Sequence, residues 1–255
     1  WSILLLGIVF HAVYLYSIIH VYFQSPLVHG MKQYRAHETT TTNHEASTPT
    51  TSTSTASSSS TLQPPSKRIV FIVSDGLRAD SMFELHKNYT DSYLHGLIAS
   101  GRASWGVSHT RVPTESRPCH VAMFAGFYED VSAVTTGWKE NPVHFDSVFN
   151  QSNYVLQIGS PDVVKIFKGE HMDSLYYEPA MEDFASGDPT ILDRWVFEKL
   201  EHVLAEDRTI QQRLRQHDNG VIIFLHLLGV DTSGHAYRPG TKGFVCLFVR
   251  FGGSF

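Results

Sequence analysis

Asp75 closes the apolar run Arg68-Ile69-Val70-Phe71-Ile72-Val73-Ser74, and Gly76 follows it. An acid there lies where an open α/β sheet keeps its site, just outside the carboxyl ends of the strands. It can hold a metal ion there, or it can cap the next helix. A second acid, Asp231, stands four residues before His235 in Leu227-Leu228-Gly229-Val230-Asp231-Thr232-Ser233-Gly234-His235. This stretch follows the buried run Val221-Ile222-Ile223-Phe224-Leu225, so it too belongs at a strand's carboxyl end. A mixed oxygen and nitrogen pair of this kind suits zinc or manganese. His226, inside the run, reads as a satisfied core histidine and not as a ligand.

The third group is a set of hydroxyls. Thr114 and Ser116 lie between Pro113 and Pro118, ahead of a helix-like run through Val121, Met123, Phe124 and Ala125; Ser108 is close by in sequence. A hydroxyl at a loop-to-helix junction gains acidity from the helix N-terminus, and a metal ion would activate it further as a nucleophile. The alternative use of Thr114 or Ser116 is as a helix N-cap, with Glu115 completing the local capping.

These groups need rigid elements to converge. β-Branched and apolar runs predict strands over Ile69–Ser74, Tyr154–Gly159 and Val221–Leu227. Apolar residues at 191, 192, 195, 196, 200, 203 and 204 trace one helical face over Ile191–Leu204, and Asp188-Pro189 supplies a start signal. Trp195 and Phe197 on that segment read as packing residues. Strands separated by helical stretches imply an α/β fold with a mostly parallel sheet and flanking helices.

The 42% hydrophobic content allows a sizeable core, and the net charge of -5 argues against a nucleic-acid surface. The 15 histidines favour a metal-binding protein, because imidazole is the commonest metal ligand. Cys119 and Cys246 are the only cysteines, so no disulfide framework holds the fold together.

The chain divides into four regions. Residues 1–23 carry no Lys, Arg, Asp or Glu, and a span of about 20 such residues crosses a bilayer as a helix. Trp1, Tyr14, Tyr16 and Tyr22 fit interfacial anchors. This segment is expected to be an uncleaved signal anchor, with the true start of the chain before Trp1. Residues 24–66 form a juxtamembrane segment and a Ser/Thr-rich linker that buries too little apolar surface to fold. Residues 67–240 are the globular part. Residues 241–255 read as an aberrant tail, as from translated intron or a gene-model error. Asn88-Tyr89-Thr90 and Asn150-Gln151-Ser152 match the N-glycosylation acceptor pattern, which favours a lumenal globular part.

Ser74-Asp75-Gly76-Leu77-Arg78-Ala79-Asp80, Arg111-Val112-Pro113-Thr114-Glu115-Ser116-Arg117-Pro118 and the stretch Phe224 to His235 resemble the alkaline phosphatase superfamily. The resemblance narrows to the glycosylphosphatidylinositol (GPI) ethanolamine phosphate transferases. Ala125-Gly126-Phe127-Tyr128-Glu129-Asp130-Val131-Ser132-Ala133-Val134, Gly137-Trp138-Lys139-Glu140-Asn141-Pro142 and Ser25-Pro26-Leu27-Val28-His29-Gly30-Met31 resemble the members that modify the first mannose. The resemblance runs from the anchor to about Pro239.

It implies an alkaline phosphatase-like domain with two divalent metals, usually zinc. Asp75 and Thr114 would bind one, with Thr114 as nucleophile, and Asp231 and His235 would bind the other. It implies phosphatidylethanolamine as donor, a mannosylated GPI precursor as acceptor, and the lumenal face of the endoplasmic reticulum membrane as location. Two departures accompany it. Cys119 stands where the family has a small residue. No Asp or His follows His235, although the family supplies further metal ligands downstream, so this chain alone is expected to be inactive or nearly so. A phosphodiesterase or sulfatase-like hydrolase of the same superfamily and a non-catalytic membrane-tethered glycoprotein are the alternatives.

Overall fold

The computed structural model describes residues 1–23, 66–83, 93–110, 112, 114–128, 146–182, 188, 190–238 and 241. The linker (except Ser66), Asn88, Arg111, Pro113, Pro239 and the tail (except Thr241) lie outside the described residues, as do Cys246 and the Gly137–Pro142 motif.

Helix α1 (Ser2–Phe23) comes first. Its described side chains, which run to Ile18, are exposed almost throughout. Among the described residues no helix is long and apolar enough to cross a membrane.

The globular part is built on four strands, β1 (Arg68–Ser74), β2 (Tyr154–Gly159), β3 (Met172–Tyr176) and β4 (Val221–Leu227), in the order β1-β4-β2-β3. All three pairings are parallel. The three predicted strands are present with nearly the predicted bounds. β3 was not anticipated, because Met172-Asp173-Ser174-Leu175-Tyr176 lacks a β-branched apolar run. Between the strands lie α2 (Ala79–Phe83), α3 (Tyr93–Ala99), α4 (Ser116–Ala125), α5 (Pro161–Val164), α6 (Thr190–Glu206) and α7 (Arg208–Gln216); α8 (Gly229–Tyr237) follows β4. The predicted helix over Ile191–Leu204 is the body of α6. α7 adds a second helix that starts where Asp207 caps it, its carboxylate accepting from the backbone N–H groups of Thr209 and Ile210.

Strand alternation divides the core between the two faces of the sheet. Tyr154, Leu156, Ile158, Val221 and Leu225 face Leu192, Val196 and Val203 of α6 and Ile210 and Leu214 of α7. Trp195 and Phe197 pack against this cluster, as predicted. On the other face Val155, Ile222 and Phe224 meet Val121 and Phe124 of α4, with Phe149 and Phe167. Phe124 is the hub there, with ring centroids 4.4 Å from Phe149 and 5.0 Å from Phe224. The parallel register Val73↔His226 and Ser74↔Leu227 brings the ends of β1 and β4 level. Whatever follows each strand therefore emerges at the same edge.

Candidate active site

That shared edge gathers the chemistry. An open cleft of about 1150 Å³ is lined by Asp75, Ser108, Thr114, Glu115, Ser116, His120, Asp231 and His235, among others. Every described residue proposed from sequence as nucleophile or ligand lines this one cleft.

Asp75 continues the ladder past β1, with its N–H donating to the Leu227 carbonyl at 2.8 Å. Gly76 then turns the chain at φ 68°. A Cβ on Gly76 would lie 2.7 Å from Cα of Asp231, so only glycine lets the two arms of the site approach so closely. Asp231 and His235 fall one turn apart on α8, with Nε2 of His235 3.5 Å from the Asp231 carboxylate. The strand-to-helix turn after β4 is held from behind: the buried Asp193 of α6 accepts the Gly229 N–H at 2.9 Å.

Neither Thr114 nor Ser116 occupies the N-cap position of α4. Glu115 does so, with no side-chain capping bond, and Ser116 is the first helical residue. Thr114 stands exposed just ahead of the helix N-terminus, whose partial positive charge favours a developing oxyanion. The same cleft holds Cys119, a free thiol pushed up by burial and by the charges of Asp75 and Glu115. Its thiolate is disfavoured, which leaves the hydroxyl as the better candidate nucleophile here.

The electrostatics favour a cation. Burial pushes the Asp75 carboxyl up, but a hydrogen bond from His226, the His120 and His226 imidazoles beside it and a Ser116 hydrogen bond outweigh it. The net effect holds Asp75 well below the usual carboxylate range. Burial, then the like charge of Asp75, pushes the Asp231 carboxyl up, against the pull of His235 and His226. Two carboxylates that disfavour each other across a cleft are relieved by a bound divalent ion.

The structure also adds two residues. Asp75, His120 and His226 each place one ligand atom within 4.8 Å of the others, a group that could hold a metal ion. His226 is not the satisfied core histidine expected from sequence: its Nε2 lies 3.3 Å from Asp75 Oδ2, and its Nδ1 is buried without a hydrogen-bond partner. His120 Nε2 is likewise buried and unpartnered. An ionised acid with the unpartnered His120 Nε2 in the same cluster, and a second acid and an imidazole on α8, are a donor set that fits zinc or a similar ion. The sequence signal for His226 was a polar residue inside a buried apolar strand. His120 gave none, because a single histidine on a helix has no spacing partner.

No protein-family model matches the chain, and no solved structure matches it significantly. Curated proteins do. The GPI ethanolamine phosphate transferase 1 of Mus musculus is 45% identical over 244 residues, which is 93% of this chain and 24% of that protein. The Homo sapiens protein of the same name is 44% identical over 246 residues, covering 94% of this chain and 24% of its own length. That of Saccharomyces cerevisiae is 44% identical over 253 residues, with 93% and 24% covered. The chain spans about a quarter of the length of these curated relatives, and over that quarter it is a homologue of the GPI ethanolamine phosphate transferase 1 proteins.

Proposed function

We propose that this chain carries the nucleophile and part of the metal-binding half of a phosphoethanolamine transferase. On this reading ethanolamine phosphate moves from phosphatidylethanolamine to the first mannose of the GPI precursor. The observation that carries it is the convergence of Asp75, Thr114, Asp231 and His235 on one cleft at the carboxyl edge of a parallel sheet, in a homologue of proteins so named.

Thr114 Oγ attacks the phosphorus, forming a phosphothreonine ester as the bond to diacylglycerol breaks; the diacylglycerol oxygen leaves with a proton. The mannose hydroxyl then attacks the same phosphorus, loses its proton and restores the Thr114 hydroxyl. Two divalent ions held by Asp75 with Thr114 and by Asp231 with His235 would lower the hydroxyl pKa and neutralise charge on the phosphoryl group. The N-terminus of α4 favours the oxyanion of Thr114. Zinc is the metal this reading assigns.

α1 anchors the chain in the endoplasmic reticulum membrane, and the globular part is lumenal. The absence of Lys, Arg, Asp and Glu from residues 1–23 supports the anchor. Asn150, exposed in a turn beside the buried Phe149, and Asn88 are the glycosylation acceptors of this reading.

The test is a chimera in which residues 1–238 replace the matching quarter of a relative, expressed in cells that lack that relative. The chimera restores transfer to the first mannose, whereas this chain alone does not or does so barely. Water as the preferred acceptor would instead identify a hydrolase of the same superfamily. Restoration by a Thr114→Val chimera would contradict the role of the hydroxyl.

A further inference from the structure

We infer that His226 is the positioning residue of Asp75, a buried donor that fixes the carboxylate for its cation, with His120 as the wall behind it. The inference rests on the metal reading of the cleft given above. Asp75 Oδ1 accepts the Gly76 N–H at 2.9 Å, and Oδ2 faces Nε2 of His226 at 3.3 Å. Each carboxylate oxygen thus has an internal donor, Ser116 adds a third hydrogen bond to the carboxylate, and of its roughly four lone-pair sites one remains for the cleft.

The His226 tautomer follows from its surroundings. Nε2 faces a carboxylate, which only accepts. Nδ1 has no partner, and a proton there would be a buried donor with nothing to receive it. The proton therefore sits on Nε2 and donates to Asp75. His120 repeats the pattern: its Nδ1 faces the Ser116 carbonyl at 2.7 Å, so Nδ1 carries the proton and Nε2 the lone pair.

The His226 ring has little freedom to leave this pose. It is fully buried, and the His120 ring meets it edge-on at 4.9 Å. Gly159 at the end of β2 completes the cradle, because a Cβ there would lie 2.5 Å from His226 Cβ. A ligand carboxylate set by a locked donor is the arrangement through which outer partners tune metal affinity.

The probe is Co²⁺ bound to the full chain in detergent. His226→Leu keeps bulk and removes the donor; His226→Gln keeps an N–H at comparable reach. The Leu variant is expected to lower Co²⁺ affinity by roughly 10–100-fold and to change the visible absorption of the bound ion, while Gln recovers most of both. Nitrogen-15 spectra of the metal-free wild type should show His226 as the Nε2–H tautomer, a readout that holds even where the Leu variant fails to fold. A folded Leu variant with unchanged Co²⁺ affinity and spectrum overturns the proposal, as does an Nδ1–H tautomer. Equal Co²⁺ binding by wild type and Asp75→Ala overturns the metal reading of the cleft, and this proposal with it.

Discussion

β1 and β4 are neighbours in register, both end at the same edge, and each leads into one acidic arm of the site. Their surroundings differ. Among the described residues β4 is central and buried along nearly its whole length, whereas β1 lies at the edge of the sheet with Ile69, Val70, Phe71 and Ile72 exposed. The arm after β4 is braced by a distant helix through Asp193, while the arm after β1 is held by its own Gly76 N–H and by His226, which β4 supplies. The difference teaches that the two acids are not equivalent. β4 organises the site, and β1 takes its placement from β4.

The largest effect that would break this comparison is in the strands themselves. Phe224→Ala removes a fully buried ring at the meeting of Phe124 and Phe149 and should cost about 3–5 kcal/mol in denaturant unfolding. Val70→Ala on the exposed edge should cost under about 1 kcal/mol. Similar costs for the two would remove the asymmetry.

A smaller effect tests the brace. Asp193→Ala leaves the Gly229 N–H buried without its acceptor and should cost about 1–3 kcal/mol at pH 5. Burial, opposed by the N–H groups of Gly229 and Leu228, pushes the Asp193 carboxyl up to about 7. Between about pH 4 and 7 the folded state therefore keeps a proton that the unfolded state has released. Stability contributed here falls as pH rises through that window and levels off above it. Asp193→Asn, which keeps an acceptor and cannot ionise, should flatten the fall; an unchanged pH profile would show that Asp193 does not titrate in the brace.

Much of this was legible in the sequence. Three strands could be read because their side chains are apolar whichever face they meet, and the Gly residues beside Asp75 and Asp231 marked where the chain must turn. The exposure of β1 could not be read, since Ile69-Val70-Phe71-Ile72 has the same composition as a buried strand and its burial depends on which strands lie beside it. β3 escaped because Asp173 and Ser174 interrupt its pattern: Asp173 accepts from Tyr154 and pairs with Arg213, and Ser174 accepts from Gln157. The cluster of His120 with His226 was out of reach for a different reason. Helix and strand bring them together across 106 positions of sequence, and no local spacing records that contact. The same holds for Asp193, which reads as one acid on an amphipathic helix until α8 is placed against it.

The central claim is that Thr114, in the cleft between these two arms, accepts the phosphoryl group. The most direct measurement is peptide mapping of the chimera carrying residues 1–238, acid-quenched during turnover with phosphatidylethanolamine labelled in its ethanolamine phosphate. The account predicts label on the peptide containing Thr114, absent from Thr114→Val and from protein stripped of metal. Sustained transfer with no label on that peptide, or label that survives Thr114→Val, would contradict it.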